Sequence, residues 1–74
     1  MTQKGQHVVP SGGKWAVRRS GAERASGVYL TQEEAVRRAR ELARNQGAEL
    51  YIHGRDGRIR DRASYGGDPL PARG

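Results

Sequence analysis

The sequence predicts an α+β fold: a small antiparallel β-sheet with one α-helix packed on one face, in the order β-β-(β)-α-β-β. Three observations carry that prediction. Thr31 to Gly47 holds one amphipathic helical period with start and stop signals at its ends. On either side of it, short runs alternate apolar and polar residues, as half-buried strands do. Between the runs stand Gly-rich turn signals. One helix can cover only one face of such a sheet, which leaves the other face open.

The polar segment 1–6 reads as a flexible N-terminus. His7-Val8-Val9 is a short strand ended by Pro10, and Ser11-Gly12-Gly13 is a turn. Lys14 to Arg19 alternates, with Trp15 and Val17 directed to the core and Lys14, Ala16 and Arg18 to the other side. Gly27-Val28-Tyr29-Leu30 is a third extended segment whose pairing in the sheet the sequence leaves open. Its alternation is taken with Val28 and Leu30 inward and Tyr29 outward.

The helix is predicted over 32–46. Thr31 is its N-cap, with Glu34 three residues on, and Gly47 suits the left-handed position after the last turn. Leu30 is placed to staple against the first turn near Ala35. Ala35, Val36, Ala39, Leu42 and Ala43 share one arc, and its three alanines make a flat face that approaches a sheet closely. Glu34 and Arg38 stand at i,i+4. After the helix, Leu50 and Ile52 alternate inward while Glu49, Tyr51 and His53 alternate outward. Gly54-Arg55-Asp56-Gly57 signals a hairpin with a primed turn. Arg58-Ile59-Arg60 follows, with Ile59 inward and both arginines outward. The domain spans 7–62, and 63–74 reads as a loosely ordered tail with a stub around Tyr65.

Seventy-four residues without a phenylalanine or a cysteine make one small domain with a thin core. The candidate core is Val8, Trp15, Val17, Val28, Leu30, Val36, Leu42, Leu50, Ile52 and Ile59. Trp15 is its largest member and the expected anchor of the helix–sheet contact. The lack of cysteine removes disulfides and thiolate metal sites, and it fits a reducing cytoplasm, the expected location. No apolar run reaches membrane-spanning length and no signal-peptide core stands at the N-terminus, so no membrane association is expected.

The stretches HVVPSGGKWAVRRSGAERAS, TQEEAVRRARELARNQGAEL and IHGRDGRIRDRASYGGDP together resemble a family of short bacterial proteins known as domain of unknown function 2188. The resemblance covers residues 6–69. Its more specific parts are the W-x-V strand, the Thr-led helix with its Ala and Arg spacing, and the H-G-x-D-G-x-I hairpin followed by S-Y-G. It implies a small bacterial β/α/β domain and brings no activity, cofactor or site residues with it.

The formal net charge is +6. Lys4, Lys14, Arg18, Arg19 and Arg24 stand against Glu23 alone in the first thirty residues. Such a balance favours anionic partners, nucleic acid first among them, and equally keeps a small domain dispersed. The outward strand positions Lys14, Arg18, Tyr29, Tyr51, His53, Arg58 and Arg60 make a candidate platform for a single strand, with bases stacked on rings and phosphates met by cations. The plainer reading is a solvated, Tyr-decorated sheet face. A second basic surface is the helix flank of Arg37, Arg40 and Arg44, which could follow duplex phosphates with little base readout. Single strand is therefore favoured over duplex.

The alternative is a homodimerising or protein-interaction module with no nucleic-acid role. No enzyme, cofactor or metal is expected. His7 and His53 have no further ligands at metal-binding spacing, and His53 at the turn is expected to bond turn backbone or solvent. Ser11 and Ser64 lack a base, and no glycine cluster precedes a helix in the manner of a phosphate loop.

Overall fold

The computed structural model describes residues 5–65. The chain runs through β1 (Gly5–Ser11), β2 (Lys14–Arg19), β3 (Gly27–Tyr29), α1 (Gln32–Gln46), β4 (Glu49–His53) and β5 (Ile59–Ser64). Among these residues the α+β class and the single helix agree with expectation. The Thr31 side chain accepts from the Glu34 amide at 3.1 Å, satisfying one free N–H of the first turn. Gly47 closes the helix at φ 63°, its N–H turned back to the Ala43 and Arg44 carbonyls.

The five strands form one sheet in the order β3-β2-β1-β4-β5. The sheet is mixed, which corrects the all-antiparallel expectation. β1 pairs parallel with β4 at its centre, while β1–β2, β2–β3 and β4–β5 are antiparallel. A parallel pair needs a long crossover, and the chain supplies one: β2, β3 and a 15-residue helix separate β1 from β4. The third strand pairs in the sheet, antiparallel to β2. β1 begins at Gly5, inside the predicted flexible start, and continues through Pro10. Pro10 is tolerated because β4 pairs with β1 only as far as Val8, so one side of β1 is an edge beyond that point. β5 runs past 62 to Ser64, and Tyr65 packs on the core with its N–H bonded to the Ala48 carbonyl. Residues 1–4, and the 66–74 portion of the predicted tail, lie outside the described residues.

α1 packs across β1, β2, β3 and β4. Ala35, Ala39 and Ala43 repeat at i,i+4 and are fully buried against Val8, Trp15, Val17 and Leu50. Bare Cβ atoms let the helix sit close to the sheet, so a small apolar inventory suffices to exclude water. Gln6 is the buried polar member, its Nε2 donating to Gln46 Oε1 near the helix C-terminus.

Three predicted core residues are exposed: Val28 at 52%, Leu30 at 71% and Ile59 at 52%. The cause is register. Residues directly opposite in neighbouring strands share a face. Tyr29 lies opposite Trp15 and Val28 opposite Ala16, so Tyr29 faces the helix and Val28 the open side. Leu30 therefore makes no buried staple. In β5, the pairing shifts between Ile52 and His53, so that Asp61 opposes Ile52, Ile59 opposes His53 and Arg60 is left over as a bulge. That extra residue turns Ile59 to the open face.

Candidate nucleic-acid interface

The face away from α1 is built around His7. The parallel register places Tyr51 directly beside it on β4, and the antiparallel register places Arg18 beside it on β2. The His7 and Tyr51 rings stack, with centroids 4.7 Å apart and planes 19° from parallel. Gly5, two residues before His7, makes room for the Tyr51 ring. A Cβ there would lie 3.0 Å from Tyr51 Cε2 and 2.8 Å from Ser20 Oγ. Ser20, just past β2, is held at this spot by its N–H on the Gly5 carbonyl at 2.8 Å.

From Ser20 a chain of hydrogen bonds crosses the face. Ser20 Oγ lies 3.0 Å from His7 Nε2, His7 Nδ1 lies 3.0 Å from His53 Nε2, and His53 Nδ1 lies 2.9 Å from the Gly57 carbonyl oxygen. The last bond sets the direction of the rest. A carbonyl only accepts, so His53 Nδ1 carries a proton and, in the neutral ring, His53 Nε2 accepts. His7 Nδ1–H then donates to His53, and His7 Nε2 accepts from the Ser20 hydroxyl. Burial, the neighbouring His53 and the Arg18 charge, in that order, hold His7 below its ordinary pKa of 6.5, so it is neutral near pH 7.

The turn that holds Gly57 is not a primed one, because among the described residues no residue other than glycine has positive φ. Arg55–Gly57 instead forms a three-residue loop closed by Gly57 at φ 86°, with its N–H on the Gly54 carbonyl and the Gly54 N–H on the Arg58 carbonyl. Asp56 makes the turn, its carboxylate accepting from the Arg58 amide at 3.0 Å. His53 does bond the turn backbone, as its position in the sequence implied. The partnership with His7 was hidden, because an antiparallel sheet would not have brought β1 and β4 side by side.

The predicted strand residues do not all gather in one place. Arg18, Tyr51 and His53 stand together on the open face, and Arg62, opposite Tyr51, joins them although β5 was expected to end before it. Arg58 is exposed beside the turn, with a loose 3.9 Å contact to Asp56. Lys14 lies at the far end of β2, where it lines a shallow concavity with Pro10, Gly13, Trp15 and Arg55. Two predicted members are not on this face. Tyr29 lies on the helix side, in reach of Arg38 of α1. Arg60, displaced by the bulge, lines a second hollow with Trp15, Leu30, Thr31, Gln32 and Arg55.

On the helix flank, Arg37 and Arg40 border a groove with Gln32, Glu33 and Val36, and Arg44 is exposed in the last turn. Arg38 pairs with Glu41 at 2.8 Å, not with Glu34. Neither Arg18 nor Arg62 has an ion-pair partner among the described residues. Among those residues, no three His, Cys, Asp or Glu side chains converge as a metal site, and no helix is long and apolar enough to cross a membrane.

A protein of Bacillus subtilis (strain 168) bearing the name "Uncharacterized protein YdaT" is 35% identical over 66 residues, which is 89% of this chain and 44% of that relative. The chain thus spans less than half the length of the curated relative it matches. No solved structure matches. Residues 6–65, from buried Gln6 in β1 to Tyr65 on the core, match the model of one family, "Uncharacterized protein conserved in bacteria (DUF2188)". The match takes in every residue described for the open face except Gly5, and the chain belongs to that bacterial family.

Proposed function

We propose that this is a non-enzymatic nucleic-acid-binding domain of the cytoplasm that receives single strands on its open sheet face. The observation that carries the reading is the grouping of Tyr51 and His7, stacked ring on ring, between Arg18 and Arg62, two cations with no ion-pair partner among the described residues. A single strand offers bases that stack on such rings and phosphates that displace counterions from such cations. Arg58 and Lys14 extend the positive surface beyond the cluster. Duplex phosphates could follow Arg37, Arg40 and Arg44 on the helix flank, with little base readout from that surface.

The test is binding of labelled single- and double-stranded oligonucleotides across a salt series. Micromolar or tighter affinity is expected for the single strand, falling steeply with salt. No binding at low salt removes the reading. One observation favours a second reading, self-association through the same face: Val28 and Ile59 are both half exposed there, at opposite edges of the sheet. Sedimentation of the free protein separates the two, since a dimer closed on this face hides the cluster.

A further inference from the structure

We propose that His7 and His53 form a proton-loaded phosphate seat on this face, so that seating a phosphodiester oxygen between their rings takes protons up from solvent. The inference rests on the nucleic-acid reading above and assigns the point at which it grips the backbone. These are the only two histidines in the chain. Their facing nitrogens, His7 Nδ1 and His53 Nε2, stand 3.0 Å apart.

The behaviour of the pair follows from counting donors and acceptors. In the neutral state one facing nitrogen donates and the other accepts, and the outer nitrogens are satisfied by Ser20 Oγ and the Gly57 carbonyl. With one added proton the chain still closes, because the Ser20 hydroxyl can turn from donor to acceptor. With two added protons both facing nitrogens are N–H donors, and neither satisfies the other. The two N–H groups then repel and the rings part from their 3.0 Å contact, and an anionic oxygen entering from solvent accepts from both, with charge assistance on each bond.

The surrounding groups set the balance. Arg18 of β2 and Arg62 of β5 lie in the same cross-strand row as His7 and Tyr51, and Arg58 stands beyond the turn. These cations oppose protonation of the free pair and favour the same anion. Of the nearby carboxylates, Glu49 of β4 accepts from the Ser64 hydroxyl and Asp56 from the Arg58 amide, and neither bonds a histidine ring. In the free protein His7 is therefore neutral near pH 7. A bound phosphodiester provides the counter-charge that lets the pair load.

The test is the affinity of the intact protein for a labelled oligothymidylate of about 12 nucleotides, measured at constant ionic strength from about pH 7.5 to 5.5. Neither thymine nor a phosphodiester titrates in that range, so any slope belongs to the protein. Affinity is expected to rise by about tenfold per pH unit for each proton taken up. His7→Gln and His53→Gln, each checked for folding by circular dichroism, are expected to flatten the slope. Binding that does not vary with pH overturns the seat and leaves the nucleic-acid reading standing.

Absence of binding at every pH removes the nucleic-acid reading. The seat is then decided with dimethyl phosphate, a diester of constant charge, by following the two histidine ring signals in NMR titrations. Titration of the rings shifted to higher pH by the diester, relative to chloride at equal ionic strength, supports the seat. Titration unchanged by the diester overturns it.

Discussion

At the scale of single residues, Gly5 leaves room for two side chains of the open face. The Tyr51 ring and the Ser20 hydroxyl both occupy space that any other side chain at this position would need. Gly5→Ala sets a methyl group 2.8 Å from Ser20 Oγ and 3.0 Å from Tyr51 Cε2, so one or both must move. The expected cost is about 1–3 kcal/mol of stability, the range for forcing extra volume into a packed site. Urea unfolding of the variant checks it, and an unchanged midpoint would mean that the ring moves aside freely. His7 makes a second residue-level prediction. Its folded pKa is depressed, chiefly by burial, so the unfolded chain binds a proton at higher pH than the folded chain does. The stability associated with neutral His7 is fully present above its unfolded value of 6.5 and is lost as pH falls from there through the folded value. Unfolding midpoints should decline on acidification below about pH 6.5, and His7→Gln should decline less.

At the scale of elements, the helix is fixed by local chemistry and the strands by their neighbours. The Thr31 cap, the alanine arc and Gly47 all act within a few residues, and each could be read directly from spacing. The β3 register and the β5 bulge depend on which strand lies alongside, a non-local matter. Val28-Tyr29-Leu30 alternates equally well in either phase, and only the pairing of Tyr29 with Trp15 selects one. The same limit hid the His7–His53 pair, since nothing between residues 7 and 53 specifies a parallel return. Basic and aromatic strand residues could thus be identified as candidates, whereas their grouping could not. Trp15 was legible on size alone, and it is 7% exposed beneath the alanine face of the helix. Trp15→Ala is expected to cost about 3–5 kcal/mol. A domain this small has little stability to spare, so the variant should be largely unfolded by circular dichroism at ambient temperature. A cooperative transition with the wild-type midpoint would show that the helix is held by something other than this ring.

At the scale of the whole molecule, one helix spends its apolar face on one side of the sheet, and no other described element packs on the opposite side. The two strand tyrosines separate across that division, and they provide the sharpest test of which surface binds. Tyr51 stands on the open face against His7, while Tyr29 packs toward the core on the helix side. If single strands lie on the open face, Tyr51→Ala removes a stacking ring worth about 1–3 kcal/mol of binding. Affinity should then fall by roughly fivefold to more than a hundredfold. Tyr29→Ala should lower the unfolding midpoint and leave the affinity of the folded protein near that of wild type. Arg18→Ala and Arg62→Ala should each reduce the dependence of affinity on salt by about one counterion, whereas Arg44→Ala on the helix flank should leave the single-strand salt slope unchanged. Fluorescence anisotropy with one labelled strand measures all five variants on the same scale. The opposite pattern, with Tyr51→Ala neutral and Arg44→Ala weakening, would move the binding surface to the helix and leave the open face to self-association.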